Sequence, residues 1–395
     1  MAVNIMDVNQ LSTVLNAIVA QAAGSAALAS VNTSDFVSVA RIGLQTGYDK
    51  LGTAISQVLS KTIFSRRPYT RKLQVMEWDE ARYGNNIRKL NIIDQPFVDD
   101  DRTKLVNGSS IDPWKVQKPS IVQTNFYGQN VYEKYVTLYR DQLDTAFRGP
   151  EEFAQFLAMV MGNASDMLEQ AYEETARATL VNLIGGTLST GVTTQTVHLV
   201  TEYNADTGQS DVTLADLLAP DKFADFARWI FAKIKTVSRA MENRTTLYHV
   251  NPTAATPVSG LIHRHTPARD QRLALYEPFF NRVSTNVLSV SFNDSYLKTI
   301  PYEGVSFWQN MQNPQAINIT AGYTDNKGAP KTAAVNTSNV LGVLFDRDAA
   351  GYVPVNKWAA ASPFNPAGGY YNQYWHVTAK YCNDNSENAV VFALD

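Results

Sequence analysis

Near the start of the chain, Leu11, Val14, Leu15, Ile18 and Ala22 recur in steps of three and four, the spacing that places side chains on one face of a helix. The stretch from Leu11 to Val31 is apolar enough to suggest a signal peptide or a membrane span. No Lys or Arg precedes Arg41 to form a basic n-region, and Ser12, Thr13, Asn16, Gln21 and Ser25 interrupt the run, so a soluble amphipathic arm is expected instead. Asp35 caps a second predicted helix with a stripe of Leu44, Tyr48, Leu51, Ile55 and Val58. That helix ends at Arg66-Arg67-Pro68, where proline forbids continuation.

From Tyr69 to Tyr139 the pattern shortens to runs of near period two: Lys72 to Trp78, Ile87 to Ile93, Ile121 to Phe126 and Val131 to Tyr139. These predict strands. Between the second and third lies a polar stretch from Asp99-Asp100-Asp101 through Asn107-Gly108-Ser109-Ser110 to Pro113, so the segment predicts a long projecting hairpin with an exposed tip. The adjacent aspartates read as solvated rather than as a cation site.

At Gly149-Pro150-Glu151-Glu152, proline at the first helical position and two acids in the first turn mark a helix start. Phe153, Leu157, Val160, Ala164, Met167, Ala171, Thr175, Ala178 and Asn182 continue it, and Gly185-Gly186 are expected to stop it. A helix from Pro150 to Ile184 would be roughly 52 Å long at about 1.5 Å per residue. Without a sustained apolar heptad, such a helix is a spine lying on a sheet rather than a coiled coil. Met159, Met161 and Met167 read as core filler. Further on, Val197 to Val200 predicts a strand. Pro220 to Glu242 predicts a helix buried through Phe223, Phe226, Ile230, Ile234, Val237 and Met241. Strands are expected at Thr245 to Val250 and Arg272 to Tyr276, and a short helix at Pro278 to Leu288. A long loop is expected from Asn313 to Asn339, then closing strands at Val340 to Asp346, Tyr371 to Tyr381 and Ala389 to Leu394.

Charge and composition narrow the function. The 34 Lys plus Arg against 37 Asp plus Glu supply no net basic field for nucleic acid. The single cysteine, Cys382, excludes an intrachain disulfide and fits a reducing cytoplasm. No phosphate loop, dinucleotide fingerprint, nucleophile elbow or H-E-x-x-H motif occurs. Of five histidines, His263 and His265 would share one face of a strand, and His249 on a neighbouring strand would complete a three-nitrogen metal site; structural histidines are the blander reading. Glu151-Glu152 and Glu173-Glu174 point in different directions on a helix and read as solvated surface. The basic groups Arg66, Arg67, Arg71 and Lys72, and Arg264, Arg269 and Arg272, are short clusters suited to pairing with acids on an adjacent subunit.

Three stretches carry a resemblance. Tyr139-Arg140-Asp141-Gln142-Leu143-Asp144-Thr145-Ala146-Phe147 with Glu152-Phe153 leads into the spine helix. Asp270-Gln271-Arg272-Leu273-Ala274-Leu275 runs through Val287-Leu288 to Phe292-Asn293. Gly369-Tyr370-Tyr371-Asn372-Gln373-Tyr374-Trp375-His376-Val377 precedes Asn388-Ala389-Val390-Val391-Phe392. Together with the element order, they resemble the major capsid proteins of tailed bacteriophages with the Hong Kong 97-type fold, locally those of phi-29-type short-tailed phages. The N-terminal helices read longer than that group's, and no appended immunoglobulin-like domain is expected after the last strand.

The resemblance implies an α+β fold with an N-terminal helical arm at 1–72 and an extended hairpin loop at 73–140. A peripheral domain with the spine helix at 141–215, an axial domain at 216–339 and closing peripheral strands at 340–395 would follow. It implies a non-enzymatic shell protein, without cofactor or metal, assembling in the host cytoplasm into hexamers and pentamers around double-stranded DNA. Its implied partners are further copies of itself, a portal and a scaffolding protein, with no membrane. Intersubunit contacts are expected at Phe64, Tyr69, Trp114, Arg264 and Arg269. The rival readings are an encapsulin-like nanocompartment shell and a metal-dependent hydrolase using His249, His263 and His265.

Overall fold

The computed structural model describes residues 8–23, 39–41, 50, 54, 69, 71–78, 87–94, 97, 100–114, 116, 118–146, 150–251, 261–286 and 302–395. Most of the second predicted N-terminal helix, with Asp35, Arg66 and Arg67, lies outside them, as do Phe64 and the stretch from Val287 to Asn293. The first helix, α1 (Val8–Ala23), buries Val14, Leu15, Ile18 and Val19, and packs on the spine helix. Among the described residues, no helix is long and apolar enough to cross a membrane.

After a short α2 (Arg140–Ala146), the long helix α3, called the spine for its length, runs over Pro150–Ser189, 40 residues and roughly 60 Å. It passes through Gly185-Gly186, where a stop was expected. The reason is a close approach: a Cβ on Gly185 would sit 2.8 Å from Ala321 Cβ, and one on Gly186 would sit 3.2 Å from the Gly322 carbonyl. The pair thins the helix so that a strand can lie against it, and the turn away comes at Gly191, at φ +75°. Asn182 fixes this contact by accepting from Gly322 N–H at 2.8 Å and donating to its carbonyl at 3.1 Å. The expected stripe also drifts, because Met167 and Ala178 are exposed while Tyr172, Ala176, Leu180, Leu183 and Ile184 are buried. A helix covered from several sides carries no single stripe.

Strands β1 (Ile87–Ile92) and β2 (Ile121–Phe126) form the expected hairpin, in register from Ile87 opposite Phe126 to Ile92 opposite Ile121. The next strand, β3 (Gln129–Tyr139), leaves the hairpin and joins a second sheet. The break falls at Tyr127-Gly128, where a Cβ on Gly128 would meet the Tyr381 ring at 2.7 Å. Lys72 to Trp78 is not a strand but a 3-10 turn at Gln74–Met76 followed by one bridge, Glu77 to Tyr352. Its apolar residues Leu73 and Met76 dip together into the core beneath the spine, which a turn permits and strand alternation does not.

A five-stranded sheet follows, ordered β4 (Thr196–His198), β12 (Ala389–Ala393), β9 (Val340–Asp346), β5 (Gln271–Tyr276), β6 (Tyr302–Val305). One face is covered by α4 (Leu199–Thr207), α5 (Leu214–Leu217), α6 (Phe223–Met241) and α7 (Glu277–Asn286), and all six predicted stripe residues of α6 are buried there. The expected strand at Val197 to Val200 divides into the end of β4 and the start of α4. Thr245 to Val250 forms only a bridge from Thr245 to Arg264, its backbone reaching instead to Asn385 and Ala389. The predicted loop at Asn313 to Asn339 is a hairpin, β7 (Ile317–Thr324) and β8 (Pro330–Thr337), laid on the spine through Ile317 and Ala321. A three-stranded antiparallel sheet, β10 (Ala350–Ala361), β11 (Tyr370–Asn383) and β3, rests its Tyr371, Trp375, Val377 and Ala379 side against the spine.

Candidate intersubunit surfaces

The β1–β2 hairpin turns Ile87, Lys89, buried Asn91, Val122, Thr124 and Phe126 inward, and its outward face sets Leu90, Ile92 and Ile121, each about 60% exposed, beside the polar Arg88, Gln123 and Asn125. Lys89 and Asn91 enter a buried turn, Asp384-Asn385-Ser386-Glu387-Asn388, that joins β11 to β12. Lys89 Nζ lies 2.7 Å from Asp384 Oδ2 and also pairs with Glu387. Arg264 closes the group, donating to Asn91 Oδ1 at 2.7 Å and to the Ser386 carbonyl at 3.0 Å, with Glu387 at 3.2 Å.

Burial alone would push the Asp384 carboxyl up, but the Lys89 ammonium and hydrogen bonds from Ser386 outweigh it and hold it below the ordinary range. For Glu387, burial prevails over Lys89 and Arg264 and leaves its carboxyl raised. Two cations balance two carboxylates, which is how buried charge is tolerated. Farther along the hairpin, Asp94 accepts from the backbone of His263 at 2.8 Å and pairs with Arg244. Arg264, expected at a neighbour, therefore spends its donors on its own chain. Toward the tip Val106, Trp114 and Val116 stand in solvent, Trp114 at 84% exposure.

The segment of Tyr69 and Arg71 is anchored on α3. Tyr69 Oη donates to Glu173, and Arg71 donates to both oxygens of Glu169 at 2.9 and 3.0 Å while pairing with Glu77. The Arg71 guanidinium also sits 5.1 Å from the Tyr172 ring centre. Glu173, expected on a solvated face, is 8% exposed and also accepts from Arg177 at 2.7 Å. Burial works against its ionisation, and the Tyr69 and Arg177 hydrogen bonds reverse that, so its carboxyl lies below the ordinary range. The Arg71 charge thus meets acids of its own chain. Arg269 remains at the surface with Asp270 at 3.4 Å.

On the side of β10-β11-β3 away from the spine, aromatic rings form a ladder. Tyr139 faces Tyr370 at 6.0 Å between ring centres, Tyr135 faces Tyr374 at 5.8 Å, and Trp358 stacks on His376 at 4.0 Å. Tyr135, Tyr139 and Trp358 are half or more exposed. Period two shows which residues share this face only once the strand pairing is known, so the single sequence did not reveal it.

The three histidines proposed for a metal do not converge. His249 is buried, with Nε2 2.8 Å from the Ile262 carbonyl and Nδ1 3.3 Å from Asn388 Oδ1, and His263 turns to Asp94 at 3.1 Å. Among the described residues, no group of three His, Cys, Asp or Glu is placed to hold a metal ion.

Bare apolar surface is spread over an edge hairpin and a sheet face, and the architecture is that of the Hong Kong 97-type capsid fold. The sequence matches the Phi29-like phage major capsid protein family over residues 15–393, so the chain belongs to that family of structural shell proteins. No curated protein matches it. A chain from the structure of head fiber and inner core protein gp22 of native bacteriophage P68 aligns with a TM-score of 0.53 at 11% identity, covering 85% of this chain and 87% of that one. The capsid structure of Staphylococcus phage Andhra aligns at 0.48 and 10% identity, covering 85% and 87%. That of the cyanophage P-SCSP1u aligns at 0.45 and 12%, covering 84% and 90%.

Proposed function

We propose that this phage capsid protein builds an icosahedral shell of hexamers and pentamers around double-stranded DNA, assembling in the host cytoplasm with a portal and a scaffolding protein, and that it catalyses no reaction. The bare apolar row on the outer face of the β1–β2 hairpin, Leu90, Ile92 and Ile121, supports the self-assembly part. An isolated subunit gains nothing from that arrangement, whereas a neighbour covering the outer face buries it. In this reading 1–72 is the arm, 73–140 the extended loop, 141–215 with 340–395 the peripheral domain, and 216–339 the axial domain. Trp114 and Arg269 contact neighbours, with Phe64 and the exposed edge of Tyr69 at the arm junction; Arg264 acts by holding the hairpin root.

A near-neutral subunit suits weak, sequence-independent contact with packaged DNA. Purified particles, treated with nuclease and then extracted, test the contents. Protected double-stranded DNA is expected; a protein cargo without nucleic acid points to the nanocompartment reading instead.

A further inference from the structure

We propose that Asn107 is a self-modifying residue: the backbone nitrogen of Gly108 displaces the Asn107 side-chain amide, and the aspartate or isoaspartate left behind ages free subunits out of assembly. The loss of assembly rests on the self-assembly reading; the modification does not.

The sequence contains a single Asn-Gly pair, and it forms the turn between Val106 and Ser109. Ser109 N–H donates to the Val106 carbonyl at 3.0 Å and closes that turn. The Ser109 hydroxyl accepts from Val106 N–H at 3.0 Å and donates to the Val106 carbonyl at 2.7 Å. Gly108 stands at φ +89° in the third position, which a type II turn reserves for glycine. Nothing lies within 4 Å of where a Cβ on Gly108 would stand, so its nitrogen is unshielded on that side. Among the described residues none accepts from Gly108 N–H, and every residue from Asp101 to Trp114 is exposed.

Two other asparagines show what protection looks like. The nitrogen after Asn326 donates to Asp325 Oδ1 at 2.9 Å, and the nitrogen after buried Asn385 donates to Asp384 Oδ1 at 2.9 Å. An N–H held by a carboxylate is not free to lose its proton and turn on the preceding side chain.

At Asn107 hydroxide takes the Gly108 N–H proton and the nitrogen attacks Asn107 Cγ, closing a succinimide ring. The Cγ–Nδ2 bond breaks and Nδ2 leaves as ammonia, taking a proton from water. Water then opens the ring at either carbonyl, giving aspartate or isoaspartate. The balance is one water consumed and one ammonia released, with no oxidant or reductant. The product sets a negative charge beside Val106, on the tip that also carries Trp114, and isoaspartate routes the backbone through an extra methylene. A contact that covers the tip must then bury a carboxylate in place of a neutral amide.

The test uses the soluble full chain. Wild type and Asn107→Gln are aged in mildly alkaline buffer and mapped by peptide mass. Particle yield is then scored by sedimentation and electron microscopy under conditions that assemble fresh subunits. Glutamine keeps the amide but needs a larger, slower-closing ring. Acid is expected at 107 while Asn326 and Asn385 keep their amides. Aged wild type should lose yield by about tenfold or more, and aged Asn107→Gln should stay within about twofold of its fresh yield. Fresh Asn107→Asp should match the aged wild type. An intact Asn107 amide, after ageing that converts it in the urea-unfolded chain, overturns the modification. Conversion with undiminished yield overturns the ageing. Fresh wild type that forms no particles overturns the self-assembly reading, and the mass map then decides the modification by itself.

Discussion

Lys89 Nζ lies 2.7 Å from Asp384 Oδ2, tying the first strand of the hairpin to the turn before the last strand across 295 positions of sequence. The pair is nearly enclosed, with side-chain exposures of 22% and 5%. Replacing Lys89 by Met leaves the buried Asp384 carboxylate without its cation and Glu387 with Arg264. The expected cost is about 3 kcal/mol of subunit stability, read by urea unfolding. A change below about 0.5 kcal/mol would show that the pair does not hold the hairpin root.

Gly185→Ala separates two accounts of the spine. In an open helix interior, alanine stabilises by about 1 kcal/mol over glycine. Here its Cβ would press on Ala321 at 2.8 Å, so destabilisation of about 1–3 kcal/mol is expected, with the β7–β8 hairpin exchanging amide hydrogens faster. Stabilisation would contradict the close approach.

Burial pushes the His249 imidazole below its ordinary value of about 6.5. As pH falls through that value the unfolded chain takes up a proton that the buried ring refuses, so the unfolded state binds more protons and stability falls. Unfolding midpoints should drop between about pH 7.5 and about pH 5.5. His249→Gln, which retains a donor for the Ile262 carbonyl, should show a smaller drop. Equal drops in both proteins would remove His249 as the cause.

Trp114→Ala and Ile92→Ser alter exposed side chains, so subunit stability should change by no more than about 0.5 kcal/mol. Particle yield should fall for both. A large stability loss with normal assembly would mean that these residues pack within the subunit.

Local pattern carried much of the fold. The α6 stripe from Phe223 to Met241 and strands β2 and β9 are regular, covered from fixed directions, and stand where periodicity put them. The β7–β8 hairpin was missed because the stretch is rich in Thr, Asn and Gly, meets the helix through Ile317, Ile319 and Ala321 of β7, and leaves β8 largely exposed. Residues of the candidate surfaces divided in the same way. Trp114 was legible as an aromatic on a turn-rich tip. Arg71, Arg264 and Glu173 looked like surface charges because their partners Glu169, Asn91 and Tyr69 lie about a hundred or more positions away. Nothing local distinguishes a charge meant for a neighbour from one consumed inside its own chain.

The most direct measurement is negative-stain electron microscopy of the full chain, expressed alone and with its neighbouring genes. Closed shells, tubes or capsomer rings are the predicted result. A persistent monomer under both conditions would contradict the account of this chain as a self-assembling capsid subunit.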